Sequence, residues 1–258
     1  MVDNTSDDGS DGHAIDIFQE PADFYQEEKP ATFHTHRFVD GRELRLRLVG
    51  QSPLWGHYLW NAGKTVSAYL EEHAASLIRG RTVLELGAGA GLPSLTAALT
   101  GAAAVVVTDY PDADLIDNLI INVHACKELD PATEIHAVGF LWGATADPVM
   151  ACLPSCDPPG FDVLILADLL FNHSEHAKLV RTVTETLRRC SEAKALVFFT
   201  PYRPWLLKQD LAFFDLAREQ GLRVEKILEK VMDKVMFEDD PGDELLRRTV
   251  FGYQVTWG

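Results

Sequence analysis

The stretch 82-TVLELGAGAGLPSL-95 is an apolar run carrying one acid, Glu85, that breaks after Leu86 into glycines at alternate positions, Gly87, Gly89 and Gly91. A short β-rich run that ends in a glycine loop and passes into helix-forming residues reads as strand, tight turn and helix. The same alternation repeats downstream. Strands are expected at 82–86, 104–108, 134–140, 161–167, 195–200, about 223–228 and 248–257, with helices at 92–100, 113–127, 174–189 and 204–220. Several strands, 104-AVVVT-108 among them, are apolar throughout, as strands of a parallel sheet covered on both faces must be. The expected fold is a doubly wound, mostly parallel α/β sheet.

Upstream the pattern changes. In 33-FHTHRFVDGRELRLRLVG-50, Leu44, Leu46 and Leu48 alternate with charges behind an Asp40-Gly41 turn, which predicts a β-hairpin with one wet face. Asn61 is the expected cap of a helix whose apolar positions Val66, Tyr69, Leu70, Leu77 and Ile78 recur at helical spacing, with Gly80 just beyond its end. The domain is therefore expected over 32–258 with the hairpin at 32–50. Residues 1–31 are expected to be an acidic, largely flexible tail with one docking segment around 15-IDIF-18 and Phe24-Tyr25. The acidic loop 237-FEDDPGDE-244 is the late irregularity.

The chain of 258 residues is 47% hydrophobic and carries a formal charge of −16, of which nine acids and one lysine in residues 1–30 supply −8. That balance argues against a nucleic-acid partner, whose phosphates need clustered Lys and Arg, and favours a basic one. Leu86 to Thr108 carries no charge, but Gly87, Gly89, Gly91, Pro93 and Gly101 interrupt it, so no membrane span is expected. Four dispersed cysteines and an acidic start fit reduced thiols in the cytosol. Cys152 and Cys156 lack the further ligands that zinc requires.

In a doubly wound sheet a ligand binds outside the carboxyl ends of the strands. The glycines after the first strand of the alternating region would let main chain approach it closely. The spacing is not that of a dinucleotide site, because Leu92 stands where Gly-x-Gly-x-x-Gly needs its third glycine. Glu85 also sits where an anion would repel a pyrophosphate. An acid there suits a ligand with positive charge, and S-adenosylmethionine carries an ammonium and a sulfonium without phosphate. Asp109, closing the next strand, is placed to accept ribose hydroxyls, since Asp112 alone can cap the helix that follows.

VLELGAGAG followed by VVVTDY resembles the first motif and second-strand acid of the seven-strand, class I S-adenosylmethionine-dependent methyltransferases, over about residues 50–257. The run 168-DLLF-171 resembles the Asp-x-x-Phe/Tyr motif of family-16 protein methyltransferases. PLWGHYLWNAG, TDYPDADLIDNLIINV and LILADLLFNHSEH look like the fungal group that methylates the N-terminal glycine and adjacent lysine of translation elongation factor 1-alpha. The resemblance implies that Gly87, Ala88 and Gly89 cradle the methionine part of the cofactor, with Glu85 behind them near its ammonium. It implies Asp109 at the ribose, Trp142 beside the adenine, Ala167 in the pocket lining and Trp55 as a cover. Asp168 would orient the incoming ammonium and Phe171 would enclose it. Trp60 is expected to be structural packing, and His173 a solvated loop residue. A small-molecule amine methyltransferase of the nicotinamide type is the alternative.

Overall fold

The computed structural model describes residues 29–50, 52–130, 132–155 and 157–258. The apolar island at 15–18 and 24–25, nearly all of the expected tail and Cys156 lie outside the described residues. The chain opens with a hairpin, β1 (Thr32–Arg37) and β2 (Glu43–Leu48), followed by α1 (Asn61–Glu72) and α2 (Ala74–Leu77). Alternation then begins with β3 (Thr82–Leu86), α3 (Leu92–Leu99), β4 (Ala104–Asp109), α4 (Ala113–Ala125), β5 (Glu134–Gly139) and α5 (Asp147–Met150). It continues through β6 (Val163–Ala167), α6 (His176–Thr186), β7 (Lys194–Phe199), α7 (Leu207–Glu219), β8 (Leu222–Val231), α8 (Glu244–Arg247) and β9 (Thr249–Trp257).

The main sheet has the order β5-β4-β3-β6-β7-β9-β8, with β3 to β7 parallel. β9 runs antiparallel between β7 and β8, so the last strand fills the gap that the α7 crossover leaves. Each central strand is apolar on both sides because both sides are covered. Leu84, Leu166 and Val197 pack with Leu179, Val183 and Phe213 of α6 and α7, while Val83, Ile165 and Phe198 pack with Val66, Leu70 and Ala97 of α1 and α3. The strand order reverses between β3 and β6, which makes the crevice above their carboxyl ends the place for a ligand. Among the described residues no helix is long and apolar enough to cross a membrane.

The hairpin turns as expected, with Gly41 in the left-handed region at φ 87°, Leu44, Leu46 and Leu48 buried, and Glu43 and Arg45 exposed at alternate positions. Two asparagines of α4 seat it. Arg47 donates its backbone amide to Asn122 Oδ1 at 2.8 Å, and its carbonyl accepts from Asn122 Nδ2 at 2.8 Å and Asn118 Nδ2 at 3.0 Å. Asn122 also donates to the carbonyl of Ala90 at 3.0 Å, which links the hairpin to the glycine loop.

Two local expectations differ from the structure. Asn61 is the first residue of α1 and not its cap; Trp60 holds the cap position without a side-chain bond, and distant groups satisfy the helix amides. The expected single helix to Ile78 breaks at His73, whose ring stacks on Tyr69 at 4.1 Å and whose Nδ1 shares the Tyr69 carbonyl, at 2.9 Å, with its own backbone amide. The acidic loop stands as read, and α8 begins at its last residue, capped by Asp243 through the Leu246 amide at 2.9 Å.

Replacing Asn122 by Ala would take the partner from the Ala90 carbonyl and the Arg47 amide, while the Arg47 carbonyl keeps Asn118, so Asn122→Ala is expected to destabilise the fold by about 1–3 kcal/mol. Denaturant unfolding checks this, and an unchanged midpoint would remove the clamp from the account.

Candidate active site

The carboxyl ends of β3, β4, β5 and β6 open onto one cleft, and all ten residues singled out in the sequence line it: Trp55, Glu85, Gly87, Ala88, Gly89, Asp109, Trp142, Ala167, Asp168 and Phe171. The glycine loop is shaped by close approach. Gly87 is in the left-handed region at φ 59°, and a Cβ there would lie 2.6 Å from Leu169 Cδ2 and 3.3 Å from the Trp142 ring, so a side chain would be strained and would crowd Leu169. Gly89, at φ 56°, would meet no protein atom within 4 Å, which leaves bare main chain beside the cleft.

Two acids hold this loop from behind. Asp109 Oδ2 accepts from the Gly89 amide at 2.6 Å and Oδ1 from the Tyr110 amide at 2.7 Å. Burial raises its pKa, against the lowering effect of those two bonds. Asp112 caps α4 through the Asp114 and Leu115 amides, so Asp109 is not needed there. Glu85 is 1% exposed and accepts from the Ser94 amide, in the first turn of α3, at 2.9 Å. Burial pushes its pKa to about 8. No ion pair reaches Glu85 among the described residues, so a buried carboxylate faces the cleft without a counter-charge. A ligand that brings an ammonium supplies it, and Asp109 with the open glycine loop suits a ribose and a close-lying chain; the residues fit S-adenosylmethionine.

Asp168 follows β6 in the left-handed region, at φ 55°, a conformation Asp tolerates better than most residues. Its carboxylate is buried and joins three distant segments. Oδ1 accepts from the Thr200 amide at 2.7 Å; Oδ2 accepts from the Ala62 amide at 2.9 Å and the Tyr202 hydroxyl at 3.4 Å. The Tyr202 oxygen in turn accepts from the Asn61 amide at 3.3 Å, so Asp168 and Tyr202 together cap α1. Burial raises Asp168 to about 7 despite these bonds.

A second chamber adjoins the first and shares Trp55, Tyr58, Trp60, Asp168 and Phe171 with it. Trp60, expected as packing, lines both and lies 5.1 Å from Tyr202 and 5.9 Å from Phe237 between ring centroids. Tyr202 and Phe237 gave no sequence signal, being brought in from the loops after β7 and β8. His173 is not a solvated loop residue; it opens a short turn and its Nε2 lies 2.6 Å from Asp210 Oδ1 on α7.

The Glu85 carboxyl keeps its proton in the folded protein over a range where the unfolded chain has lost it. Its contribution to stability is full below its ordinary value of 4.5 and is lost as pH rises through about 8. Denaturant unfolding at stepped pH, without added cofactor, is therefore expected to show stability falling across that window. The decline is expected to be shallower in Glu85→Gln, which keeps an acceptor for Ser94; equal slopes would contradict the assignment.

A family model described as lysine methyltransferase matches residues 40–220. A protein N-terminal and lysine N-methyltransferase of Emericella nidulans is 50% identical over 246 residues, covering 94% of this chain and 95% of its own. One of that description from Schizosaccharomyces pombe is 45% identical over 251 residues, covering 96% of this chain and 97% of its own. Among solved structures, the T. thermophilus 16S rRNA methyltransferase RsmC in complex with AdoMet and guanosine superposes with TM-score 0.54 at 16% identity, over 89% of this chain and 51% of that one. P. horikoshii TYW2 in complex with MeSAdo gives TM-score 0.51 at 16% identity, over 89% and 73% of the two chains. The chain belongs to the lysine methyltransferase family and is an S-adenosylmethionine-dependent methyltransferase.

Proposed function

We propose that this protein methylates the α-amine of the N-terminal glycine and the side-chain amine of the adjacent lysine of translation elongation factor 1-alpha, in the cytosol. The observation that carries a protein substrate, over a small amine, is the mouth of the cleft. Leu54, Trp55, Tyr110, Leu141 and Phe171 line it and are each roughly half exposed, an apolar rim of the kind a macromolecular partner covers. The net charge of −16 favours encounter with a basic polypeptide end. The names of the relatives support N-terminal and lysine amines as the acceptors, and the sequence resemblance suggests the elongation factor.

The bound cofactor supplies an electrophilic methyl group. The chain's own residues hold and orient. Glu85 and the Gly87–Gly89 loop take the amino-acid end, Asp109 the ribose hydroxyls, and Trp142 the adenine side. Asp168 and Phe171 aim the substrate amine at the transfer position, where geometry supplies much of the acceleration. The amine must arrive unprotonated. With burial raising Asp168 to about 7, a proton on an α-ammonium of ordinary pKa near 8 passes to its carboxylate more readily than one on a lysine near 10.4.

Intact-mass and fragment-ion spectrometry of fungal elongation factor 1-alpha, incubated with the protein and S-adenosylmethionine, tests this. Added methyl units on the first glycine or the next lysine are expected, and are expected to vanish with Asp109→Ala. An unmodified factor, with calorimetry still showing cofactor binding, would overturn the target and leave the enzyme class standing.

A further inference from the structure

The second chamber has features that a simple passage to the cleft does not need. Trp60, Tyr202 and Phe237 come from three separate loops and meet pairwise edge to face, at centroid separations of 5.1 to 5.9 Å and interplanar angles of 63 to 69°. Tyr58 adds a fourth ring, 5.3 Å from Phe237 at 88°. Rings packed in this way hold one another rigid and offer electron-rich faces. The loop that brings Phe237 is anchored: the buried Arg247 donates through Nη1 to the Phe237 carbonyl at 2.7 Å, and Arg248 Nη1 to the Met232 carbonyl at 3.0 Å.

The charges point the same way. Asp168, Asp210 and Asp240 line the chamber, and Arg203, the cation among its described lining residues, donates to the Phe171 carbonyl at 2.8 Å. The cation–π contacts of the described residues fall on Phe33, Phe38, Phe251 and Trp257, all away from this corner. The chamber thus joins aromatic faces free of a protein cation to an acidic lining, against the wall that Asp168 shares with the cofactor cleft.

We propose that the second chamber is an alkylammonium subsite, in which Trp60 and Phe237 bind the cationic amine of the substrate, and its methylated product, by cation–π attraction. The inference rests on the reading of the chain as a protein amine methyltransferase. An ammonium is held there by charge and by contact with its carbon-bound hydrogens, so methylation does not remove its binding energy. A neutral group of equal size lacks the electrostatic part. The chamber therefore distinguishes charge more than methylation state.

The test uses binding and not turnover. Two peptides ending in the same lysine-containing sequence would be titrated calorimetrically into the protein with S-adenosylhomocysteine: one begins with trimethylglycine, the other with its uncharged isostere, 3,3-dimethylbutanoyl. The charged peptide is expected to bind about tenfold more tightly. Phe237→Leu, which keeps an apolar side chain of similar bulk, is expected to reduce that ratio severalfold with the cofactor affinity unchanged, and Trp60→Leu to reduce the ratio as well. Equal binding of the two peptides to the unmodified protein, or an undiminished ratio in both variants, would overturn the inference. Because no methyl group is transferred, loss of charge selectivity beside normal methylation of the elongation factor refutes the subsite alone. Charge-selective binding beside an unmethylated factor refutes the proposed target alone.

Discussion

The Asp168 carboxylate is the contact on which the site depends. It lies at the end of β6, yet its oxygens receive the Ala62 amide at the start of α1 and the Thr200 amide beyond β7, with the Tyr202 hydroxyl alongside. A helix N-terminus and charge-assisted bonds both favour an anion. Burial opposes one, and the balance leaves the group near 7, between a fixed charge and a proton carrier. The same side chain lines both chambers, so the group that caps α1 also stands where they meet.

The other two acids of the cleft follow the same logic on a smaller scale. Glu85 holds the first turn of α3 and Asp109 holds Gly89, so each shapes backbone while facing a ligand. Side chains that act in both ways cannot be replaced by ones lacking an acceptor without freeing the backbone they hold. The hairpin is joined to this frame through Asn122, whose amide bridges Arg47 and the Ala90 carbonyl in the glycine loop.

Much of this was legible in the chain. The apolar runs of the parallel strands, the alternating leucines of the hairpin, Gly87 and Gly89, and the two acids Glu85 and Asp109 all signal through neighbours a few residues away. Asp112 capped its helix as expected for the same reason. What was not legible depends on groups far apart in sequence. α1 takes its cap from Asp168, 106 residues beyond Ala62, so the nearby Asn61 was a misleading local candidate. Trp60 reads as ordinary packing until Tyr202 and Phe237 are brought beside it from loops well over a hundred residues later. His173 reads as a loop residue until α7 presents Asp210. The break at His73 coincides with a ring nitrogen sharing the Tyr69 carbonyl with the backbone amide, a local contact that no hydrophobic period records.

In the proposed arrangement Asp168 stands between a cofactor cleft and an amine chamber. A crystal structure of the protein with S-adenosylhomocysteine and a peptide beginning with a free glycine and lysine tests it most directly. The account predicts the ribose hydroxyls at Asp109 and the peptide's α-amine beside Asp168, with its approach lined by Trp60 and Phe237. A peptide amine lodged elsewhere, or an adenosyl group lying in the aromatic chamber, would contradict it.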